Sequence, residues 1–167
     1  MRFNKILALS TMLIVPNLVQ ANDGVAVDLA RVCVSEAGWE PGPDCAAILS
    51  ALRNRAERTD MSVPAMMRTY SRNVFNVARS DRRAWLAHLN ARGDKPQGWP
   101  RNVSWETHRA KWLAKIEHAK SLLADDSHYP TVDHWGMQTG PDLARALRAG
   151  WTRVMIDGAK NAFWSVQ

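Results

Sequence analysis

The sequence predicts a mainly α-helical domain that ends in a small β-hairpin. Apolar side chains recur at helical spacing through most of the chain after residue 23, which is typical of helices with one buried face. Ser, Asp or Asn stands just before several of these segments, and these residues favour helix initiation. Only the last stretch, 151–166, differs, because Asp157-Gly158 lies between two apolar runs as in a tight hairpin turn.

The first 21 residues are expected to lie outside this domain. Two basic residues precede the apolar stretch 6–15, and small or apolar residues stand at the usual cleavage positions. The stretch is shorter than the roughly 20 residues of a membrane span, although a retained N-terminal anchor is the alternative. We therefore predict a signal peptide over 1–21 and one domain over 22–167. The mature protein would be periplasmic or secreted, with no stable membrane insertion.

The charge of the chain favours an anionic partner. Its 22 basic and 16 acidic side chains give a net charge of +6, which falls to +4 without the predicted signal peptide. A bacterial cell wall or a membrane surface would suit this charge, and solubility alone is the alternative. The basic residues are interleaved with acidic ones and form no stripe, so we predict no nucleic-acid partner.

Two helices are predicted at the start of the domain. The first spans 24–37, with Asn22 or Asp23 as its N-cap, and the second spans about 44–58, with Asp44 as its N-cap. Four elements are predicted after them: a short helix at 62–69 capped by Ser62, a helix at about 81–92, the longest helix at 104–124 capped by Ser104, and a short helix near 141–148.

Two cysteines fall on the inward faces of the first helix pair, Cys33 on one helix and Cys45 on the other. In an exported protein an even number of cysteines predicts a disulfide, and two free buried thiols are the alternative. Such a bond would close a loop of about 13 residues and contribute about 3 kcal/mol to stability.

Glu36 is the candidate catalytic residue. It falls in the last turn of the first helix, on the same face as Leu29 and Cys33. Burial and the negative end of the helix dipole both favour the neutral carboxyl group. A carboxyl group that stays protonated near neutral pH can donate a proton to a leaving group, as glycosidic bond cleavage requires. From the pattern alone, a surface glutamate on a fraying helix end is the more frequent outcome.

The segment EAGWEPGPDCAAILSALRNR, which begins at Glu36, resembles the opening of the cell-wall hydrolase family typified by spore-cortex-lytic enzymes. In that family a Glu ends the first helix, a turn with Gly and Pro follows, and an Ala-rich helix closes in Asn-Arg. Asn54 and Arg55 stand at that closing position here. The second Glu of the family and its Pro match Glu40 and Pro41.

The C-terminal stretch AGWTRVMIDGAKNAFW is similar to the closing segment of the same family. The resemblance implies that Asn161 and Phe163 lie near the site. Two regions depart from the family. Gly38-Trp39 replaces the usual Arg-Gly after Glu-Ala, and the middle of the chain, about 60–130, diverges.

The resemblance implies a lysozyme-like helical fold and cleavage of the β-1,4 bond between N-acetylmuramic acid and N-acetylglucosamine in peptidoglycan. It further implies a lytic transglycosylase, in which Glu36 acts first as acid and then as base while the C6 hydroxyl of the sugar attacks. A hydrolase of the usual kind would need a second carboxylate. Glu40 and Asp44 stand nearby. Glu40 is the candidate for that second group, with a cap or salt bridge in the turn as the alternative, and Asp44 is expected only to cap its helix. No cofactor and no metal are expected.

The aromatic residues favour sugar binding, because eight tryptophans stand against two tyrosines and indole faces pack well on the C–H faces of sugars. Trp39 and Trp135 are candidates for the substrate groove, together with the neighbouring His134. Tyr70 and Asn76 fall in the segment TYSRNVFN, where lysozyme-like folds line their cleft. The tryptophans on predicted helices are expected in the core: Trp85, Trp105 and Trp112.

Two other functions stay open. His128, Asp133 and His134 could ligate zinc and make the chain a wall amidase or peptidase, although their spacing matches no zinc motif and a hydrogen-bonded loop is the alternative. A non-catalytic peptidoglycan-binding module would use the same tryptophans and the positive charge, with Glu36 only structural. Sensitivity to chelators tests the first alternative, and wall binding without soluble products tests the second.

Overall fold

The chain folds as predicted into a mainly α-helical domain with a small antiparallel sheet near its C-terminus. The structure, a computed structural model, describes residues 16–75, 83–125, 129 and 131–166, with side chains from residue 23 onward. The helices described are α1 (Pro16–Ala37), α2 (Pro43–Thr59), α3 (Val63–Tyr70), α4 (Arg72–Phe75), a 3-10 helix (Ala84–His88), α5 (Trp105–Ala124) and α6 (Pro141–Arg148). The strands are β1 (His134–Gly136), β2 (Thr152–Val154) and β3 (Ala162–Ser165).

Helix α1 is the central element of the core and packs against α5, α2 and α3. Its apolar face buries Leu29, while α2 contributes Ile48 and α5 contributes Trp112, all three fully buried. Burial of such side chains stabilises each by about 1.5–3 kcal/mol relative to exposure. The packing fixes the C-terminal end of α1, and therefore Glu36, against the rest of the domain. None of the helices in the described part of the chain has both the length and the apolar character needed to cross a bilayer.

The start of the first helix was predicted wrongly. α1 begins at Pro16 and runs through Asn22 and Asp23, so neither of these residues caps it. The segment between Pro16 and Asn22 contains no further Pro and no Gly to interrupt a helix, and Pro is well suited to a first helical position. Residues 1–15 of the predicted signal peptide lie outside the described residues.

Asp44 does not cap α2, contrary to the prediction. The helix begins at Pro43 with Gly42 as its N-cap, and no side chain bonds there. The Asp44 carboxylate is instead buried and accepts hydrogen bonds from the backbone N–H groups of Lys160 and Asn161. The pattern could not distinguish these roles because the partners lie more than 110 positions away in the chain.

The helix expected at 81–92 is only a 3-10 turn over Ala84–His88, with residues 81 and 82 outside the described part. The chain leaves this turn at Leu89, where the backbone becomes extended. Asn90 then folds the next segment, since its side-chain oxygen accepts from the backbone N–H groups of Arg92 and Asp94. Such Asn-centred turns compete directly with helix continuation.

The remaining elements follow the predictions closely. Ser62 and Ser104 cap α3 and α5, each accepting from the backbone N–H three residues later. The disulfide between Cys33 and Cys45 is present, with the two Cα atoms 5.2 Å apart. It ties the last turns of α1 to the first turn of α2.

The predicted C-terminal hairpin is the pair β2–β3, and a third strand was not predicted. β1 pairs antiparallel with β3, giving the order β1-β3-β2. Trp135 of β1 lies opposite Phe163 of β3, and His134 lies opposite Trp164. A strand of three residues is too short to show an alternating pattern, which explains why the sequence did not reveal it.

Candidate active site

A cleft of about 300 Å³ lies where the end of α1 meets the edge strand β1, with α3, α4 and α6 completing its walls. Residues from these elements, from α2, from β3 and from the connection between α6 and β2 line it: Glu36, Arg55, Tyr70, Asn73, His134, Trp135, Gly136, Asp142, Arg145, Trp151 and Trp164. Four of these are Tyr or Trp, four have a charged side chain, and His134 can also carry a charge. The cleft therefore combines apolar faces with converging polar groups, as small-molecule and sugar sites do.

Glu36 enters the cleft from the last turn of α1. Its carboxyl group is partly buried, and the indole N–H of Trp135 points to Oε2 at 3.4 Å. Trp135 belongs to the edge strand β1, so one hydrogen bond links the helix end to the sheet. The candidate acid and the candidate groove tryptophan predicted from the sequence are thus neighbours in space.

The backbone around Glu36 is held by contacts from the C-terminal part of the chain. The side-chain amide of Asn161 donates to the backbone oxygen of Glu36 at 2.9 Å. This oxygen lies in the last turn of the helix, where backbone carbonyl groups have no hydrogen-bond donor within the helix. Asp44 in turn fixes the backbone N–H of Asn161 at 2.7 Å. Gly38 ends the helix with a φ of +82°, a conformation that residues with a Cβ rarely adopt.

Burial raises the pKa of Glu36 above its usual value, and the negative charge of Asp142 adds to that effect. Three contacts act in the opposite direction: the N–H of Trp135, the positive charge of Arg83 and the hydroxyl of Ser35. Desolvation is the largest of these contributions. A raised pKa keeps a larger fraction of the group protonated near neutral pH, as a general acid requires.

Arg55 forms the polar floor of the cleft. Its guanidinium is buried and donates to the backbone oxygen of Asp133 at 2.6 Å. It also lies 2.9 Å from Nε2 of His134 and stacks 3.9 Å from the centre of the Tyr70 ring. The charge of Arg55 thereby orients two of the residues that the sequence placed in the groove, His134 and Tyr70.

The aromatic walls of the cleft come from different elements. The ring of His134 stacks on that of Trp151, with centroids 3.9 Å apart and an interplanar angle of 14°. Trp164 lies opposite His134 in the sheet and is nearly fully buried. Tyr70, at the end of α3, is 48% exposed and so presents its ring to solvent at the rim.

Asp142 brings a second carboxyl group into the cleft, from the first turn of α6. Its Oδ2 accepts from the backbone N–H of Met137 at 2.9 Å. A Cβ atom on Gly136 would stand 2.7 Å from the same oxygen, so the glycine makes this close approach possible. Neither Asp142 nor Gly136 was predicted as a site residue.

Some predicted site residues lie elsewhere. Glu40 is exposed, pairs with Lys111 at 2.5 Å and does not line the cleft. Trp39 belongs to an aromatic cluster in which it stacks on Trp85 at 5.9 Å. Phe163 lies within β3 and is almost fully buried. Two further predicted residues act indirectly or fall outside the description: Asn161, which supports the backbone of Glu36, and Asn76, which lies outside the described residues.

Two of the three candidate zinc ligands are engaged in other contacts. Asp133 is buried, pairs with Arg58 at 2.5 Å and accepts from the backbone N–H of Val166. His134 faces the guanidinium of Arg55. His128 lies outside the described residues, and within those residues no group of three or more His, Cys, Asp or Glu side chains could hold a metal ion.

Among the cleft residues that the sequence analysis missed, one could have been found from the sequence. Arg55 falls on the apolar stripe of α2, at helical spacing from Ile48 and Leu52, and a charged group on a buried face is itself a signal. Asp142 carries no such signal, because an acidic residue in the first turn of a helix is common.

No family model matches the chain, and comparison with curated proteins and with solved structures likewise found no match.

Proposed function

We propose that this protein cleaves the glycan strands of peptidoglycan at the β-1,4 bond between N-acetylmuramic acid and N-acetylglucosamine, with Glu36 as the proton donor. The observation that carries the proposal is the environment of that carboxyl group. It is partly buried, its pKa is raised by that burial, and it opens into a cleft with aromatic walls. Protonation of the leaving oxygen requires an acid with these properties.

The cleft also suits a sugar chain chemically. Trp135 and Trp151 offer indole surfaces for the C–H faces of sugar rings, and Tyr70 offers a third ring at the rim. Arg55 and His134 supply polar atoms beside these rings. Two nucleophiles can attack C1. One is the sugar's own C6 hydroxyl group, as the family resemblance implies, and the other is a water molecule.

The proposal includes export to the bacterial cell envelope, in the periplasm or outside the cell. The disulfide between Cys33 and Cys45 supports this location, because such bonds persist mainly in oxidising compartments. Peptidoglycan lies in the same location, and its anionic groups suit the net positive charge of the chain.

The test is digestion of purified peptidoglycan by the exported protein and by its Glu36→Gln variant, with soluble products identified by mass spectrometry. Gln keeps the shape of the side chain and cannot donate the proton, so cleavage should fall by about 10²–10⁴-fold. Glu57→Gln is the matched control, since Glu57 is an exposed helical glutamate outside the cleft. Glu40→Gln should also keep activity, because Glu40 does not line the cleft.

Each alternative gives a different result in the same assay. Binding to the wall without soluble products would indicate a non-catalytic module. Release of stem peptides that a chelator abolishes would indicate a zinc-dependent amidase or peptidase. Full activity of Glu36→Gln would contradict the role of Glu36.

A further inference from the structure

The cleft contains two carboxyl groups in contrasting positions. Glu36 lies at the C-terminal end of α1, where the helix dipole is negative, and Asp142 lies in the first turn of α6, where it is positive. They interact electrostatically, since the charge of Asp142 contributes to the raised pKa of Glu36. Pairs of carboxyl groups in opposite environments are a common basis for dividing acid and base roles.

Asp142 is held in one orientation by its neighbours. Oδ2 accepts from the backbone N–H of Met137 at 2.9 Å, and the missing Cβ of Gly136 leaves room for that oxygen. Any side chain at position 136 would place a carbon 2.7 Å from it. The carboxylate is therefore fixed by the backbone of the β1 edge.

The other oxygen of Asp142 remains available to a molecule in the cleft. Oδ1 makes no hydrogen bond with the described part of the chain. Arg145, one turn further along α6, lines the same cleft, yet the two side chains form no ion pair within 4.0 Å in the described structure. An oriented carboxylate with one free oxygen can accept a proton from a bound hydroxyl group.

We propose that Asp142 is the catalytic base of this cleft and that it activates water, so that the protein is a hydrolase and not a lytic transglycosylase. This inference rests on the proposed function of the cleft. A transglycosylase with a single Glu needs no second carboxylate, whereas a hydrolase that uses water directly does.

The reaction balances with these two groups alone. The bond between C1 of N-acetylmuramic acid and O4 of the next sugar breaks, and Glu36 gives its proton to that O4. The oxygen of water bonds to C1, and Asp142 takes the proton that the water loses. Exchange of one proton with solvent then returns both carboxyl groups to their starting forms. The new chain end is a free reducing sugar instead of a 1,6-anhydro sugar.

The first experiment compares the wild type with Asp142→Asn on purified peptidoglycan. Wild-type products should carry reducing ends, which borohydride converts to alditols before mass spectrometry. The variant should lose about 10²–10⁴-fold in kcat with an unchanged KM. Its amide oxygen can still accept from Met137, so thermal unfolding should stay close to that of the wild type. Asp157→Asn is the control, since Asp157 is exposed and outside the cleft.

A second variant separates catalysis from a structural role. Asp142→Ala should be inactive with water but recover cleavage in sodium azide, because azide attacks C1 without a base and has room in the vacated space. The product would be a glycosyl azide, which mass spectrometry identifies directly. Loss of a merely structural carboxylate would not be repaired in this way.

Several results would overturn the inference. Anhydro ends from the wild type, full activity of Asp142→Asn, or failure of azide to restore Asp142→Ala would each exclude Asp142 as the base. A folded wild type that releases no glycan products would instead overturn the proposed function, and the base with it. The two failures are distinguishable because only the second abolishes products before any variant is made.

Discussion

Substituting Asp44 by Asn tests how the C-terminal hairpin is joined to α2, the helix that follows the one carrying Glu36. The Asp44 carboxylate is only 3% exposed. It accepts from the backbone N–H of Lys160 at 3.1 and 3.0 Å and from that of Asn161 at 2.7 Å. In the variant, one of the two oxygens becomes an NH₂ group that cannot accept, and the remaining oxygen is neutral.

The expected cost follows from those contacts. Hydrogen bonds to a charged group contribute about 1.5–3 kcal/mol and neutral ones about 1 kcal/mol. Two donors lose the charged acceptor, and the new NH₂ group faces the N–H of Lys160 at about the same place as Oδ2. We therefore expect Asp44→Asn to lower the free energy of unfolding by about 2–3 kcal/mol. If Asp44 were only the N-cap of α2, the substitution would leave the free energy of unfolding nearly unchanged, because Asn caps a helix as well as Asp does.

Urea denaturation followed by circular dichroism measures this difference directly, with the disulfide intact and the slope m compared between proteins. Asp60→Asn is the matched control. Asp60 is exposed at a φ of +52°, a conformation that Asn adopts as readily as Asp, so this variant should match the wild type. A change of less than about 0.5 kcal/mol for Asp44→Asn would refute the structural role and restore the N-cap interpretation.

Three further predictions concern the disulfide, the acid and the glycine of the cleft. Reducing the Cys33–Cys45 bond, which spans a sequence separation of 12, should lower the free energy of unfolding by about 3 kcal/mol in urea titrations with and without reductant. Because the folded pKa of Glu36 lies above its usual value of 4.5, its stabilising contribution is complete below that value and is lost as pH rises through the folded pKa. Glu36→Gln should therefore gain stability relative to the wild type as the pH rises above about 4.5, measured by thermal unfolding. Gly136→Ala should reduce kcat/KM at least about tenfold on peptidoglycan, because its Cβ would displace Asp142.

The controls for these predictions use the same chain. Gly24→Ala introduces a Cβ where no atom lies within 4 Å, and it should leave cleavage unchanged. If Gly136→Ala cleaved as fast as Gly24→Ala, the close approach of Asp142 would have no role in the reaction. If the stability difference between Glu36→Gln and the wild type did not vary with pH, the folded pKa of Glu36 would not be raised. Equal urea midpoints with and without reductant would mean that the disulfide adds no stability.

Much of the helical fold could be predicted because its causes are local. Ser62 and Ser104 cap α3 and α5 through N–H groups three residues away, so four consecutive residues contain the whole signal. The apolar stripe of α5 likewise predicted the burial of Trp105 and Trp112. The prediction failed at residues 81–92, where Asn90 bonds forward along the backbone and forms a turn in place of a helix.

By itself, the sequence determined most of the helices, the disulfide and the one carboxyl group placed at a helix end on a buried face. Only the tertiary structure decided which groups share the cleft with Glu36. Glu40, four residues along, turns outward to Lys111, whereas Asp142, more than a hundred residues away, lies in the same cleft. The physical reason is that helix periodicity and capping act over a few residues, while the end of α1 meets the edge of β1 through long-range packing, as the hydrogen bond between Trp135 and Glu36 shows.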